Sequence, residues 1–381
     1  MSRWFYYLLG MAVVAPAINL IWGLQQAALA IFICATISLI PLAAIIGRTT
    51  EDLEYYVGPI GGGLLNATFG NAPEVIIGIF ALRDNLVNVV QASLTGSIIS
   101  NSLLVLGSAL AVGGWRWGRQ YFNARDAGQY SAMMLLAVAG LLIPTTGSFV
   151  IHDPVRLRSM SDAISVVLLL VYVLYLAAHV FRVRTTRRRS SQQGATTIKL
   201  APEADEEENG LVEATTGQLD PHQTSSPQPK LWLTILLLLL ATLGTAWNSQ
   251  LLVSTIEPVT ALLGWSTVFV GLVIIPIVGN AAEHSSAIYI ALRDRVDLSM
   301  AIAAGSSIQV ATFVAPLLVL VSTFFSQPLL LVFQPLELVI LGMAVLLFSV
   351  VSLDGESSWL AGIQLIAVYV IACIVFFLIP G

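Results

Sequence analysis

The pentapeptide Gly70-Asn71-Ala72-Pro73-Glu74 sits inside one apolar run and returns as Gly279-Asn280-Ala281-Ala282-Glu283 inside another. Each copy is followed by the same landmarks. Ala81-Leu82-Arg83-Asp84 is matched by Ala291-Leu292-Arg293-Asp294, and Gly96-Ser97 by Gly305-Ser306. The glycines keep register, with 26 residues from Gly70 to Gly96 and 26 from Gly279 to Gly305. One such pentapeptide is a weak signal. Two copies with matched downstream spacing mark an internal duplication.

The chain around them is poor in charge. Its 381 residues are 57% hydrophobic and 10% charged, with a mean hydropathy of +0.85. Soluble domains carry about a quarter charged residues, so a soluble enzyme, a nucleic-acid binder and a disordered chain all fit badly. A net charge of −5 gives no basic footprint for nucleic acid. Cys34 and Cys373 lie in apolar runs without metal-ligand spacing and read as packing residues. The first apolar run leads directly into a second, so no cleavable leader is expected. The fold class is an all-α polytopic membrane protein.

A spanning helix needs about 20 apolar residues. About eleven transmembrane helices are expected: 4–22, 25–47, 60–82, 86–112, 128–148, 162–182, 230–250, 265–291, 297–323, 329–351 and 358–379. The short apolar stretch 251–264 reads as an interfacial helix. Barrel strands are excluded, because those segments are about ten residues long and alternate in polarity. Of 17 Lys and Arg residues, fourteen fall on one side of this layout, and Arg83, Arg156 and Arg158 on the other. The positive-inside rule then places the amino terminus in the cytoplasm and the carboxyl terminus outside or in a lumen. The membrane expected is the plasma (inner) membrane. Trp4, Trp22, Trp115 and Trp117 fall near span ends, as an interfacial aromatic belt requires.

Residues 183–229 are unlike the rest. They hold Arg187-Arg188-Arg189, an acidic run (Glu203, Asp205, Glu206, Glu207, Glu208) and then Ser, Gln, Thr and Pro. This reads as a cytoplasmic linker between halves. A spacer and a cation-sensing segment are the two roles open to it.

The two pentapeptides lie five spans apart, so the second crosses the membrane in the opposite sense. Inverted repeats are characteristic of secondary transporters, which bind substrate near the midplane between halves. Glu74 and Glu283 fall well inside their spans, where a charge costs on the order of 3 kcal/mol. Helix capping accounts for part of the pattern: Asn71 to Glu74, and Asn280 to Glu283, have N-cap to N3 spacing. Capping is compatible with function, because broken helices are where transporters expose ligand groups.

Oxygen-only ligands on facing helices suit a hard cation such as Ca²⁺. Ser97, Ser100 and Asn101 can add oxygens from one side, and Ser306, Ser307 and Gln309 from the other. Hydroxyls and amides also join helices by plain hydrogen bonds. Two carboxylates neutralise a divalent ion, and when it leaves, repulsion and desolvation favour protons in its place. His284 has no partner in the first copy, where Val75 stands; proton-linked tuning and a structural bond are both open for it. Glu337 is a further intramembrane carboxylate, ranked below the repeat pair. Asp84, Asp294 and Asp297 lie near span ends and read as solvated.

At these residues the chain resembles a CAX-type cation/proton exchanger of the cation/Ca²⁺ exchanger superfamily. Three stretches carry the resemblance. The first is Gly62-Gly63-Leu64-Leu65-Asn66-Ala67-Thr68-Phe69 leading into Gly70–Glu74, with Gly96-Ser97-Ile98-Ile99-Ser100-Asn101. The second is Gly279–His284 with Gly305-Ser306-Ser307-Ile308-Gln309. The third is Ser352-Leu353-Asp354-Gly355-Glu356-Ser357-Ser358-Trp359. The resemblance implies two inverted five-helix repeats plus one extra N-terminal helix. That divides the chain into an extra transmembrane helix (1–23), a first repeat (24–182), the acidic linker (183–229) and a second repeat (230–381). It implies that Glu74 and Glu283 bind Ca²⁺ and H⁺ alternately. Asn71, Asn280, Ser97, Asn101, Ser306 and Gln309 would assist, with His284 beside the proton path. The acidic run resembles, in shortened form, a segment that family members carry between halves.

The function expected is Ca²⁺/H⁺ antiport. Its partners are Ca²⁺ and protons as transported ions, with membrane lipid around the chain; no cofactor or nucleic acid is expected, and a homo-oligomer is left open. A Na⁺/Ca²⁺ or other divalent-cation exchanger is the alternative. A cation channel is the rival from another class, but filters are typically rings of equivalent groups, whereas here there is one pair. With no H-E-x-x-H and no phosphate loop, no enzyme is expected.

Overall fold

A computed structural model of the chain describes residues 3–193 and 230–379, and both stretches are almost wholly helical. Inside a bilayer no water satisfies backbone N–H and C=O groups, so each apolar run must pair its own backbone. The helices are α1 (Arg3–Trp22), α2 (Ala28–Phe69), α3 (Ala72–Arg83), α4 (Val87–Trp117), α5 (Ala124–Ser148) and α6 (Pro154–Gln193). After residue 230 come α7 (Leu231–Leu263), α8 (Thr267–Gly279), α9 (Ala281–Ala291), α10 (Val296–Ser322), α11 (Pro335–Val351) and α12 (Trp359–Leu378). Gln120–Tyr121 (β1) pairs antiparallel with Glu356–Ser357 (β2) and ties two loops together.

Among the described residues, eight helices are long and apolar enough to cross a membrane, or nine if α8 and α9 form one bent span. α11 is a shorter apolar helix. The expected span 60–82 is divided between the end of α2 and α3.

Two expected boundaries need correction. Residues 48–59 are not a loop: α2 continues through them and changes direction only at Gly58, whose φ of 74° suits a residue without a Cβ. Residues 251–264 are not a separate interfacial helix, because α7 runs unbroken to Leu263. Its Leu251, Leu252, Val253, Thr255 and Ile256 are buried, and the helix stops where Gly264 takes a left-handed conformation. α6 extends past the expected start of the linker, as far as Gln193. The acidic run Glu203–Glu208 lies outside the described residues.

The duplication is visible in the backbone. Asn85 and Asp294, 209 residues apart like Gly70 and Gly279, both have φ of 61°. The helix breaks agree too, with Asn71 at φ −101°, ψ 17° and Asn280 at φ −91°, ψ 16°. Wide π-helical turns occupy Ser100–Val105 of α4 and Val310–Val314 of α10. Such turns are rare and often sit at functional sites. Here each follows the polar positions that the repeat singles out.

α4 forms the centre of the structure, with 78% of its most apolar stretch buried. It packs directly on the first half of α8. An ideal Cβ built on Gly96 would lie 2.2 Å from the Leu272 carbonyl oxygen, and one on Gly271 would lie 2.8 Å from that of Val89. The two backbones touch, so no side chain fits between them. The repeat-equivalent Gly305 differs: among the described residues nothing lies within 4 Å of its Cβ position.

Candidate ion-binding site

The site forms where two helices break. α3 starts after Asn71 and α9 after Asn280, so both glutamates stand in a first helical turn. The helix N-terminus gives each carboxylate a favourable dipole and free backbone N–H groups nearby. α8 and α9 meet at 56°. Glu74 reaches across to this second break, and its Oε1 lies 3.0 Å from the Cβ position of Gly279. A side chain at Gly279 would compete with that carboxylate.

The expected capping boxes do not form. Asn71 and Asn280 occupy the cap positions, but neither makes a side-chain cap hydrogen bond. Asn71 Nδ2 donates to Gln309 Oε1 at 2.7 Å, across 238 residues of sequence. The amide is drawn into the contact between halves, where a buried acceptor competes with its own helix.

Similar contacts join other expected site residues. Asn101 Nδ2 donates to Ser306 Oγ at 2.9 Å. Ser100 Oγ lies 3.3 Å from His284 Nε2. Each pair links one half of the chain to the other. Ser97 is buried on α4 one turn before Asn101, and Ser307 turns back to the Ala303 carbonyl instead of the site. The contact with Ser100 is compatible with both readings of His284, a structural bond and proton-linked tuning.

Several polar atoms here are buried without a partner. Glu74 is 8% exposed, and neither of its carboxylate oxygens receives a hydrogen bond from another of the described residues. Glu283 Oε2, Asn101 Oδ1, and both Oδ1 and Nδ2 of Asn280 are in the same condition. Leaving one buried polar group unmatched costs about 1–3 kcal/mol, and more for a charged one. The unmatched oxygens come from two carboxylates and two amides, a hard and neutralising set suited to a cation that sheds its water. Among the described residues no group of three or more Asp, Glu, His or Cys side chains is placed to hold a metal. The available anionic charge is thus two, enough to match a divalent ion without trapping it.

Sequence reasoning missed two parts of this arrangement. Gly279 was read only as part of the repeated pentapeptide, but it also makes room for Glu74. Gly271, eight residues earlier, lets α8 press against α4. Gly62 stands eight residues before Gly70 in the same way, and that shared spacing was the signal available.

Comparison with known proteins places the chain in context. The sodium/calcium exchanger protein family model matches residues 27–181 and 233–378. The Ca²⁺/H⁺ antiporter of Synechocystis sp. is 42% identical over 353 residues, covering 92% of this chain and 91% of its own length. The Ca²⁺/H⁺ antiporter ChaA of Bacillus subtilis is 40% identical over 380 residues and covers 100% of both chains. Among solved structures, the selenium-substituted Ca²⁺/H⁺ antiporter protein YfkE aligns with a TM-score of 0.79 and 35% identity, over 99% of this chain and 100% of that one.

Proposed function

This chain belongs to the sodium/calcium exchanger protein family, and on that basis we propose that it exchanges Ca²⁺ for H⁺ across a membrane by alternating access. The observation that carries the proposal is the pair of acidic side chains at matched helix breaks. Glu74 and Glu283 have buried oxygens with no donor from another residue, so each needs either a cation or a proton. Ca²⁺ bound between them is matched in charge, and protons on them serve the same need once Ca²⁺ has left.

Asn71, Asn280, Ser97, Asn101, Ser306 and Gln309 complete the coordination or orient it. His284, held by Ser100, stands beside Glu283 and tunes the proton side of the exchange. The names of the two full-length relatives support H⁺ over Na⁺ as the coupling ion. We place the amino terminus in the cytoplasm, because the arginine-rich loops gather on that side. The contact of Gly96 with Leu272 then lies on the outer side of the site, and Gly305 on the cytoplasmic side. Ser285 and Ser286 of α9 are exposed toward that end.

Calorimetric Ca²⁺ titration of purified protein tests the site. Wild type should bind Ca²⁺ more weakly as pH falls, with proton release on binding. Glu74→Gln and Glu283→Gln should each lose most of the binding while keeping the helical signal. Unchanged binding in either variant would remove that glutamate from the site.

A further inference from the structure

Glu337, in the first turn of α11, is a second kind of buried carboxylate, 1% exposed and outside the ion site. The Thr95 hydroxyl oxygen lies 3.1 Å from its Oε2, within hydrogen-bond distance. No cation approaches it: among the described residues all three salt bridges lie at exposed positions and none involves Glu337. The elements packed on α11 are α4, α5 and α12. The nearest arginine along α4 is Arg116, 21 residues beyond Thr95; α5 carries Arg125 and Asp126 in its first turn with Tyr130 above; α12 has no charged residue, only Tyr369 and Cys373.

Proton counting defines the state of this pair. Thr95 Oγ1 lies 3.1 Å from Glu337 Oε2, 3.2 Å from the Gln91 carbonyl oxygen and 3.1 Å from that of Ala92. Three acceptors surround a group that owns one proton. If Glu337 were ionised, the one side-chain donor given to it among the described residues would be a hydroxyl already claimed by the helix backbone. With the proton on Glu337, the acid donates to Thr95 and the threonine donates to its own helix, so the chain is satisfied from end to end.

The location gives this bond a task. Thr95 adjoins Gly96, whose backbone rests on Leu272 of α8. One helical turn away, Gln91 Nε2 donates to the carbonyls of Leu330 and Val332, at 3.0 and 2.7 Å, in the irregular segment leading to α11. α4 is therefore gripped from behind by Glu337 and Gln91 at the level where its front closes on α8. The repeat gives the second half no counterpart, since Gly128 and Ala304 stand 209 residues from Glu337 and Thr95. The symmetric ion chemistry does not require this carboxyl.

We propose that Glu337 is a positioning residue that works as a neutral acid: it donates its proton to Thr95, fixes α4 in the closed contact with α8, and does not exchange that proton during transport. Its part in transport rests on the antiport reading above, whereas its protonation does not. Infrared difference spectra of wild type against Glu337→Gln should show one carboxylic-acid carbonyl band lost in the variant, and the band should persist in wild type under mildly alkaline conditions. In proteoliposomes Glu337→Gln, which can donate from its amide, should keep proton-driven Ca²⁺ uptake within about twofold and leave its pH profile unmoved. Glu337→Ala, which leaves the space without a donor, should lower uptake about tenfold. Absence of the acid band, or a shifted pH profile in Glu337→Gln, would overturn the proposal. If wild type shows no proton-driven uptake, antiport fails while the infrared result still decides the protonation.

Discussion

Gly96→Ala should act as a wedge between α4 and α8. The ideal Cβ at this position lies 2.2 Å from the Leu272 carbonyl oxygen and 2.7 Å from the Leu272 Cα. Non-bonded carbon contacts settle near ~3.5 Å, so the two helices must part by roughly 1 Å at this level. Both opposing atoms are backbone, and no rotamer change relieves them. Overpacking of this kind costs about 1–3 kcal/mol, which shifts a two-state conformational equilibrium roughly 5- to 150-fold. Gly305→Ala is the internal control, because among the described residues nothing lies within 4 Å of the added methyl. By the repeat, it should obstruct the opposite conformation instead. The assay is labelling of Ser286→Cys by an impermeant thiol reagent, after Cys34 and Cys373 are replaced. Ser286 is exposed here, so Gly96→Ala should slow labelling by at least about fivefold and lower the melting temperature. Gly305→Ala should leave both unchanged or speed the labelling. Equal destabilisation by the two alanines, or no effect of Gly96→Ala, would refute the idea that the Gly96 contact holds α4 against α8 in this conformation.

Other consequences concern the site and its frame. Glu74→Gln removes a buried carboxylate that has no donor, so in Ca²⁺-free alkaline medium the variant should melt no lower than wild type, and up to about 1–3 kcal/mol more stable, while transport is lost. A clear fall in melting temperature would mean Glu74 has partners in the protein. Asn71→Ala breaks the 2.7 Å bond to Gln309 and should weaken Ca²⁺ binding about tenfold, for roughly 1–1.5 kcal/mol of hydrogen bond; titration calorimetry reads this directly. Thr145→Ala should cost about 1–3 kcal/mol of stability, because its Oγ1 accepts from the Phe333 N–H at 3.1 Å and contacts the Leu331 carbonyl in a buried non-helical segment. Thermal unfolding in a fixed detergent checks it, and an unchanged midpoint counts against that role.

The duplication was legible because it is written in residue identity at fixed spacing, and the backbone follows it down to the shared left-handed turn at Asn85 and Asp294. The positions of the helix breaks were legible for the same reason. The partners of the cap residues were not: local spacing suggested that Asn71 serves its own helix, while Gln309, distant in sequence, holds it instead. Helix ends were misread where no breaker stands, as in residues 48–57 and 251–257, since polarity alone does not stop a helix that finds protein to pack on. The packing of Gly96 could not be read at all. Both halves carry the glycine, and its identity alone does not show that Gly96 rests on the Leu272 backbone. Glu337 was visible as a carboxylate, but its meaning comes from Thr95 and two backbone carbonyls brought beside it by folding.

The central claim is that Ca²⁺ and H⁺ compete for Glu74 and Glu283. The direct measurement is Ca²⁺ flux in liposomes containing the purified protein, with a pH gradient imposed in either direction and a Na⁺ gradient as comparison. Ca²⁺ should move against the proton flow, reverse when the gradient is reversed, ignore Na⁺, and stop in Glu74→Gln and Glu283→Gln. Ca²⁺ movement that follows its own gradient regardless of pH, or that is driven by Na⁺, would contradict the account.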